Sequence, residues 1–249
     1  LTALTTGTGN TAIGYEASDS VTTGAGNTSL GYRALASSSS SSDNNVAIGY
    51  QAMDASHGTG GGQNVFMGKN AGGGTWATGA CNFNVGIGSE ALAGALAVSS
   101  GTIGIGYQAL TALTSGTQNT AIGYKALAEH QSQGNNTVLG YQAAFNTNNS
   151  HCADNVFIGT NTAAGSWAGT ARYNTAVGME SMYGDMNGAE YNTALGKSAL
   201  RVLVSGDNNV GVGVNAGDTI TTGSNNTILG YDADASASGA AGQIAIGAS

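Results

Sequence analysis

A short pattern of polar, apolar and small residues recurs along the whole chain. Each copy reads Asn, a β-branched residue, a small residue, a large apolar residue and Gly, as in Asn10-Thr11-Ala12-Ile13-Gly14. Fourteen copies follow one another, and their large apolar residues, named the anchors, are 17 to 20 positions apart. A fixed period of this length is typical of solenoids, in which each repeat forms one coil. The sequence therefore predicts an all-β parallel β-solenoid of about 14 coils, as a single array over residues 1–249.

Two positions of the repeat vary least between copies. The Gly after the anchor is always present, as expected for a turn with positive φ, which only Gly adopts without steric cost. Asn lies three positions before the anchor in twelve copies, where stacked side chains can hydrogen-bond from coil to coil. The predicted turn glycines are Gly14, Gly31, Gly49, Gly68, Gly88, Gly106, Gly123, Gly140, Gly159, Gly178, Gly196, Gly213, Gly230 and Gly247. The predicted Asn ladder is Asn10, Asn27, Asn45, Asn64, Asn84, Asn119, Asn136, Asn155, Asn174, Asn192, Asn209 and Asn226.

The alternation around each anchor predicts a short strand. The anchor and the β-branched residue share one face, and the small residue points to the other. Because Asn, Lys and Glu never occupy the small position, we expect that face to pack against something, such as another chain. After the Gly, a second short strand is predicted, in which a polar residue faces water while Tyr and Ala lie on the opposite face. Tyr holds this position at Tyr15, Tyr32, Tyr50, Tyr107, Tyr124, Tyr141 and Tyr231.

Composition narrows the classes of function. The net charge is −8, from 14 acidic and 6 basic residues, and no basic stripe is present. Nucleic acid is therefore excluded as a partner, and so is an anionic lipid surface. No run of 18 apolar residues occurs, so membrane insertion is excluded as well. Because the chain begins and ends inside the repeat pattern, we interpret it as a segment of a longer protein.

Few residues suggest chemistry. Cys81 and Cys152 each lie six positions before an anchor, four coils apart, which is too far for a disulfide within the chain. They are either free thiols or partners in a disulfide between chains. His57, His130 and His151 are scattered through predicted loops and are expected to be solvated. Zinc-ligand spacing and the calcium-binding Gly-Gly-x-Gly-x-Asp repeat are both missing, so we expect no catalytic residue, metal or cofactor.

The two tryptophans carry the sharpest functional hypothesis. Trp76 and Trp167 each lie nine residues after their anchor, in two longer repeats that resemble one another. An exposed Trp in a fibre loop can stack on a sugar ring, so both are candidates for glycan contact. Alternatively, each Trp packs its loop onto the shaft or between chains.

The repeat resembles those of a known class of fibre. Asn-Thr-Ala-Ile-Gly is similar to the haemagglutinin-type head repeats of trimeric autotransporter adhesins. The fuller string from Gln118 to Leu127, Gln-Asn-Thr-Ala-Ile-Gly-Tyr-Lys-Ala-Leu, resembles repeats of phage tail fibres and other trimeric adhesive fibres. The resemblance implies a left-handed parallel β-roll, a homotrimer, an extracellular, cell-surface or virion location, and a role in attachment.

Two functions follow as expectations. The first is the shaft or head of a homotrimeric adhesive fibre that acts through multivalent contacts to a receptor or surface glycan. The second is a single-chain or end-to-end polymerised filament of a cell surface or matrix. The small-residue face should distinguish them, since a trimer would bury it between chains. Ice binding is disfavoured because the Thr column also contains Val and Ile, as an inward position would. A polysaccharide-cleaving enzyme is disfavoured because no column stacks carboxylates in adjacent coils.

Overall fold

The structure, a computed structural model, is all-β and describes residues 3–37, 42–55, 61–76, 81–147 and 152–248. Its contacts group the chain into two compact units, Leu1–Tyr124 and Lys125–Ser249. Each unit is a parallel β-solenoid in which every repeat contributes one three-residue strand to a common sheet. The predicted parallel β-solenoid is confirmed.

The first unit contains seven of these strands. They pair in parallel and in sequence order, and the register joins equivalent repeat positions, such as Ala47 with Phe66. The strands are β1 (Thr11–Ile13), β2 (Thr28–Leu30), β3 (Val46–Ile48), β4 (Val65–Met67), β5 (Val85–Ile87), β6 (Ile103–Ile105) and β7 (Thr120–Ile122).

The second unit repeats the arrangement with seven strands and adds a small sheet. Its main strands also pair in parallel at equivalent positions, while β9 and β11 pair with each other. The strands are β8 (Thr137–Leu139), β9 (Cys152–Ala153), β10 (Val156–Ile158), β11 (Ala171–Arg172), β12 (Thr175–Val177), β13 (Thr193–Leu195), β14 (Val210–Val212), β15 (Thr227–Leu229) and β16 (Ile244–Ile246).

The strands face the opposite way from the prediction. The middle residue of each strand points into the coil, so Ala47 and Ala121 are fully buried. The flanking anchor and β-branched residue point outward, and Leu30 for example is 44% exposed. The expected close packing of the small-residue face is therefore confirmed, but the face packs inside its own coil and not against another chain. That position is small because the interior of one coil is narrow.

The segment after the Gly is a succession of turns, so the predicted second strand is wrong. Its first polar residue adopts a left-handed conformation, with φ of 52° at both Arg33 and Gln51. A strand would place Ala34 and Leu35 on opposite faces, whereas both are fully buried. Turning after each residue directs both side chains inward. It also leaves Tyr outside, and Tyr50 is 50% exposed, so Tyr and Ala do not share a face.

The interior fits large side chains against glycines of neighbouring positions. Phe66 is fully buried, and a Cβ added at Gly86 or Gly72 would lie 2.5 or 2.6 Å from its Cδ1. The rings of Phe66 and Trp76 meet edge to face, with centroids 5.6 Å apart. A large side chain in the interior is thus matched by neighbouring residues that have no side chain, as close packing requires.

Candidate functional site

The asparagines form a buried column that joins successive coils. The side-chain amide of Asn64 donates to Asn45 Oδ1 over 3.1 Å and to the Cys81 carbonyl over 2.9 Å. Its Oδ1 accepts the backbone N–H of Asn84 over 2.9 Å. The second unit repeats this pattern, for example from Asn192 to Asn174. All ladder asparagines after Asn10 are buried, so this column supports the fold and offers nothing to a ligand.

The copies that lack Asn keep only part of this bonding. The backbone N–H of Thr102 still donates to Asn84 Oδ1 over 3.0 Å, and that of Gln243 to Asn226 Oδ1 over 3.0 Å. The Gln243 amide instead donates to Ser236 Oγ. The side-chain step of the ladder is thus particular to Asn.

The turn glycines combine positive φ with close coil-to-coil approach. Their φ values lie between 129° and 149°, a region closed to residues with a Cβ. A Cβ at Gly68 would lie 2.5 Å from the carbonyl oxygen of Gly88. These glycines therefore set the spacing of the coils, and they present no side chain to a ligand.

Each unit exposes an apolar strip, defined by the outward positions of its main strands. Its members are exposed or half-buried, and none of them carries a charge. In the first unit the strip comprises Thr11, Ile13, Thr28, Leu30, Val46, Ile48, Val65, Met67, Val85, Ile87, Ile103, Ile105, Thr120 and Ile122. In the second it comprises Thr137, Leu139, Val156, Ile158, Thr175, Val177, Thr193, Leu195, Val210, Val212, Thr227, Leu229, Ile244 and Ile246.

Exposed tyrosines extend the strip on the side of the Gly turn. Tyr15, Tyr32 and Tyr50 stack face to face, with centroids 5.5 and 5.0 Å apart. Tyr107 and Tyr124 stack in the same way at 5.3 Å. The rings are at least 40% exposed, so they widen the apolar surface and do not enter the core. A soluble single chain rarely displays so long an apolar surface.

The hypothesis that the tryptophans contact a glycan is wrong. Trp76 and Trp167 are only 3% and 2% exposed, so their faces are not accessible to a sugar. The Trp76 indole N–H donates to the Gly72 carbonyl over 3.1 Å, and Trp167 packs edge to face on Phe157 at 5.3 Å. The longer coils have a wider interior, and each indole fills that space.

Both cysteines are free and buried. Burial raises the pKa of each thiol, most strongly for Cys152, and the bond from Asn155 opposes the shift only in part. A buried neutral thiol does not reach a second chain, so the alternative of a disulfide between chains is not supported by this geometry.

One histidine lies inside the second unit, contrary to the prediction of solvated histidines. His130 is fully buried, with Nε2 3.2 Å from the Gln133 carbonyl oxygen. Burial lowers its pKa, and backbone groups of Gln133 and Thr147 oppose the shift. His57 and His151 lie outside the described residues.

Acidification should destabilise the second unit through His130. Its folded pKa lies below the unfolded value of about 6.5, so the unfolded chain binds the proton more tightly. Stability is therefore retained above about pH 6.5 and lost as the pH falls below it, with a slope of at most one proton. In a Trp76→Phe background, where Trp167 is the remaining indole, urea midpoints measured by fluorescence from pH 7.5 to 5 should fall with His130 present and fall less with His130→Gln. Equal pH slopes for the two proteins would contradict this assignment.

Glu190 and Asp207 occupy the same position of adjacent coils, five before their anchors, so the expectation that no column stacks carboxylates in adjacent coils is wrong. Asp218 and Asp234 also come from adjacent coils, but from different positions of the repeat. Burial first, and then the charges of Asp234 and Asp232, raise the pKa of Asp218. Asp234 also accepts a bond from Thr219 Oγ1 over 2.9 Å. Among the described residues, no group of three or more His, Cys, Asp or Glu side chains could hold a metal ion.

The comparisons with known proteins add no relative. No protein-family model, curated protein or solved structure matches this chain. No helix in the described ranges has the length and apolar character to cross a membrane.

Sequence reasoning found the members of the apolar strip but assigned them to the interior. The signal that could have corrected it is the size of the middle residue, which is mostly Ala or Gly. At the middle position of the strand, Ala, Gly and Ser fit inside a coil of 17 to 20 residues, whereas a whole column of Ile and Leu there would compete for space with the buried Leu and Met side chains of the following turns. The column of mixed Thr, Val and Ile thus faces outward, and the reason given against ice binding does not hold. The neighbouring anchor column has no hydroxyl in either unit.

Proposed function

We propose that this chain forms the shaft or head of a homotrimeric adhesive fibre, displayed outside a cell or on a virion, that attaches to a surface. The observation that carries the proposal is the uncharged apolar strip of each unit. Covering it with other copies of the chain removes apolar area from water, at roughly 25 cal/mol per Å².

The period of the strip favours another copy as its partner. Its side chains repeat at the spacing of parallel strands, about 4.8 Å. A second solenoid with the same repeat presents ridges at the same spacing, so anchors of one chain can pack between those of the next. Because the strip has no charged residue, such self-association buries no like charges. Repetition along a fibre would then present many weak binding sites together.

The native mass tests this assembly. Light scattering of the wild type should give about three times the 24.4 kDa of one chain. The double variant Ile87→Asp, Ile105→Asp places two charges in the strip of the first unit. We expect it to shift the mass toward one chain, because a buried unpaired charge is strongly unfavourable. Ala95→Asp adds a charge to an exposed loop of the same unit and should leave the mass unchanged.

Three results would speak against a trimer. A wild-type mass of one chain would contradict self-association, and an open-ended distribution would indicate the polymerised filament instead. A double variant that stays trimeric while circular dichroism shows an intact fold would place the interface elsewhere.

A further inference from the structure

The first unit has a polar cleft that no part of the proposed assembly uses. The cleft has a volume of about 360 Å³, within the range of small-molecule sites. None of its lining residues belongs to the apolar strip. It is lined by Gln51, Asp54, Asn70, Gly73, Glu90 and Ala93.

The repeat itself creates this cleft. Gln51, Asn70 and Glu90 occupy the same position of three successive coils and form one wall. Their left-handed conformations, with φ from 52° to 59°, come from the turn after the Gly. The opposite side is low because Gly73 has no side chain and Ala93 has only a methyl group. Two small residues in adjacent coils thus leave open the space that a longer side chain, such as Asp54 at the same repeat position, would occupy.

Polar pairs bound the cleft at its two ends. At one end Arg33 Nη2 lies 3.4 Å from Asp54 Oδ1, and Gln51 donates to Asp54 Oδ2 over 3.0 Å. At the other end the Gln108 amide donates to Glu90 Oε2 over 2.7 Å. These contacts hold both carboxylates in place before any ligand arrives.

Two groups in the cleft have unused hydrogen-bonding capacity. Asp54 is only 9% exposed, and its buried Oδ1 receives no hydrogen bond, since Arg33 contacts it as an ion pair only. Within the described part of the chain, the side-chain amide of Asn70 makes no hydrogen bond. A buried acceptor without a donor is unfavourable, and a ligand hydroxyl would satisfy it after a small shift.

We propose that this cleft binds one uncharged pyranose ring of a glycan. Vicinal hydroxyls both donate and accept, which matches the carboxylates of Asp54 and Glu90 together with the amides of Gln51 and Asn70. Arg33 offsets the charge of Asp54, and Glu90 is the other charged group of the lining, so a cationic comparison belongs in the test. The inference gives the attachment role a ligand class and rests on that role for its biological use. Binding needs only one chain, so it can be tested apart from assembly.

Ligand-observed NMR on the full chain tests the site with maltotetraose, cellotetraose and chitotetraose, and with glucosamine as a cationic comparison. At least one neutral tetrasaccharide should bind. Glu90→Gln should weaken it about ten-fold or more, because it removes a charged hydrogen-bond acceptor. Glu180→Gln makes the same change at the same repeat position of the second unit and should leave binding unchanged. Ala93→Arg, which fills the cleft, should abolish binding.

Each contrary outcome overturns the inference in a recognisable way. Binding of glucosamine alone would show a site for amines, and binding by no probe would remove the saccharide. Binding that survives Ala93→Arg would lie elsewhere. The native mass of these variants separates the two proposals, since a trimer that binds no sugar would contradict only the proposed saccharide site.

Discussion

Gly68→Ala should destabilise the first unit by about 3 kcal/mol or more. Gly68 has φ of 139°, where a residue with a Cβ is strained by itself. The new Cβ would also lie 2.5 Å from the carbonyl oxygen of Gly88 and 2.6 Å from its carbonyl carbon, so the adjacent coils must separate. That separation stretches the hydrogen bond from the Gly88 N–H to the Met67 carbonyl, which is 2.8 Å long.

Urea unfolding of the first unit measures this effect. In a Trp167→Phe background, Trp76 is the remaining indole and reports the first unit alone. A local reporter is needed because repeat arrays need not unfold in a single step.

Gly101→Ala is the matched control for Gly68→Ala. Gly101 also has positive φ, at 66°, but a Cβ there meets only Gln118 Cγ at 3.8 Å. Its cost should be the left-handed conformation alone, about 1–2 kcal/mol. If both variants lose the same stability, the close approach of the coils contributes nothing and the argument for the Gly column fails.

Asn64→Ala should destabilise the same unit by about 2–5 kcal/mol. The substitution leaves the Cys81 carbonyl and the Asn84 backbone N–H without their partner inside the coil. Each buried polar group without a partner costs about 1–3 kcal/mol. The same Trp76 signal reports the loss, and amide exchange should quicken first at Asn84.

Thr75→Ala is the control for the Asn64 substitution. Thr75 is an exposed polar residue of the same coil, and its loss should change stability by less than about 0.5 kcal/mol. A small effect of Asn64→Ala, comparable to that of Thr75→Ala, would mean that water replaces the ladder bonds. The buried column would then be a consequence of stacking and not one of its causes.

Much of the fold could be predicted because the repeat is a property of the sequence. The constant Gly supplies the positive φ of the turn in each coil, and the near-constant Asn hydrogen-bonds the backbone of neighbouring coils. Alternation around the anchor gave the strand and its parallel register, since identical positions stack when a period is fixed. These features depend on residues within one coil and its neighbour.

The interior of the coil could not be predicted in the same way. Consecutive turns place both Ala34 and Leu35 inside, and no alternating pattern describes that geometry. The roles of Trp76 and Trp167 were ambiguous, because a large ring can either fill a wide coil interior or stack on a sugar. The polar cleft depends on side chains from three coils, with Arg33 and Gln108 from two more, and only stacking brings them together.

The sequence by itself determined the period, the parallel stacking and the positions of the turn glycines and ladder asparagines. Only the tertiary structure decided which side of each strand is inside. Alternation with a period of two assigns the residues to two faces of the strand but does not say which face is inside. An apolar face can be buried within a coil or between chains. The narrow width of the coil settles the choice, because most middle positions of the strands hold Ala, Gly or Ser beside the buried Leu or Met of the following turn, and the anchors are left outside.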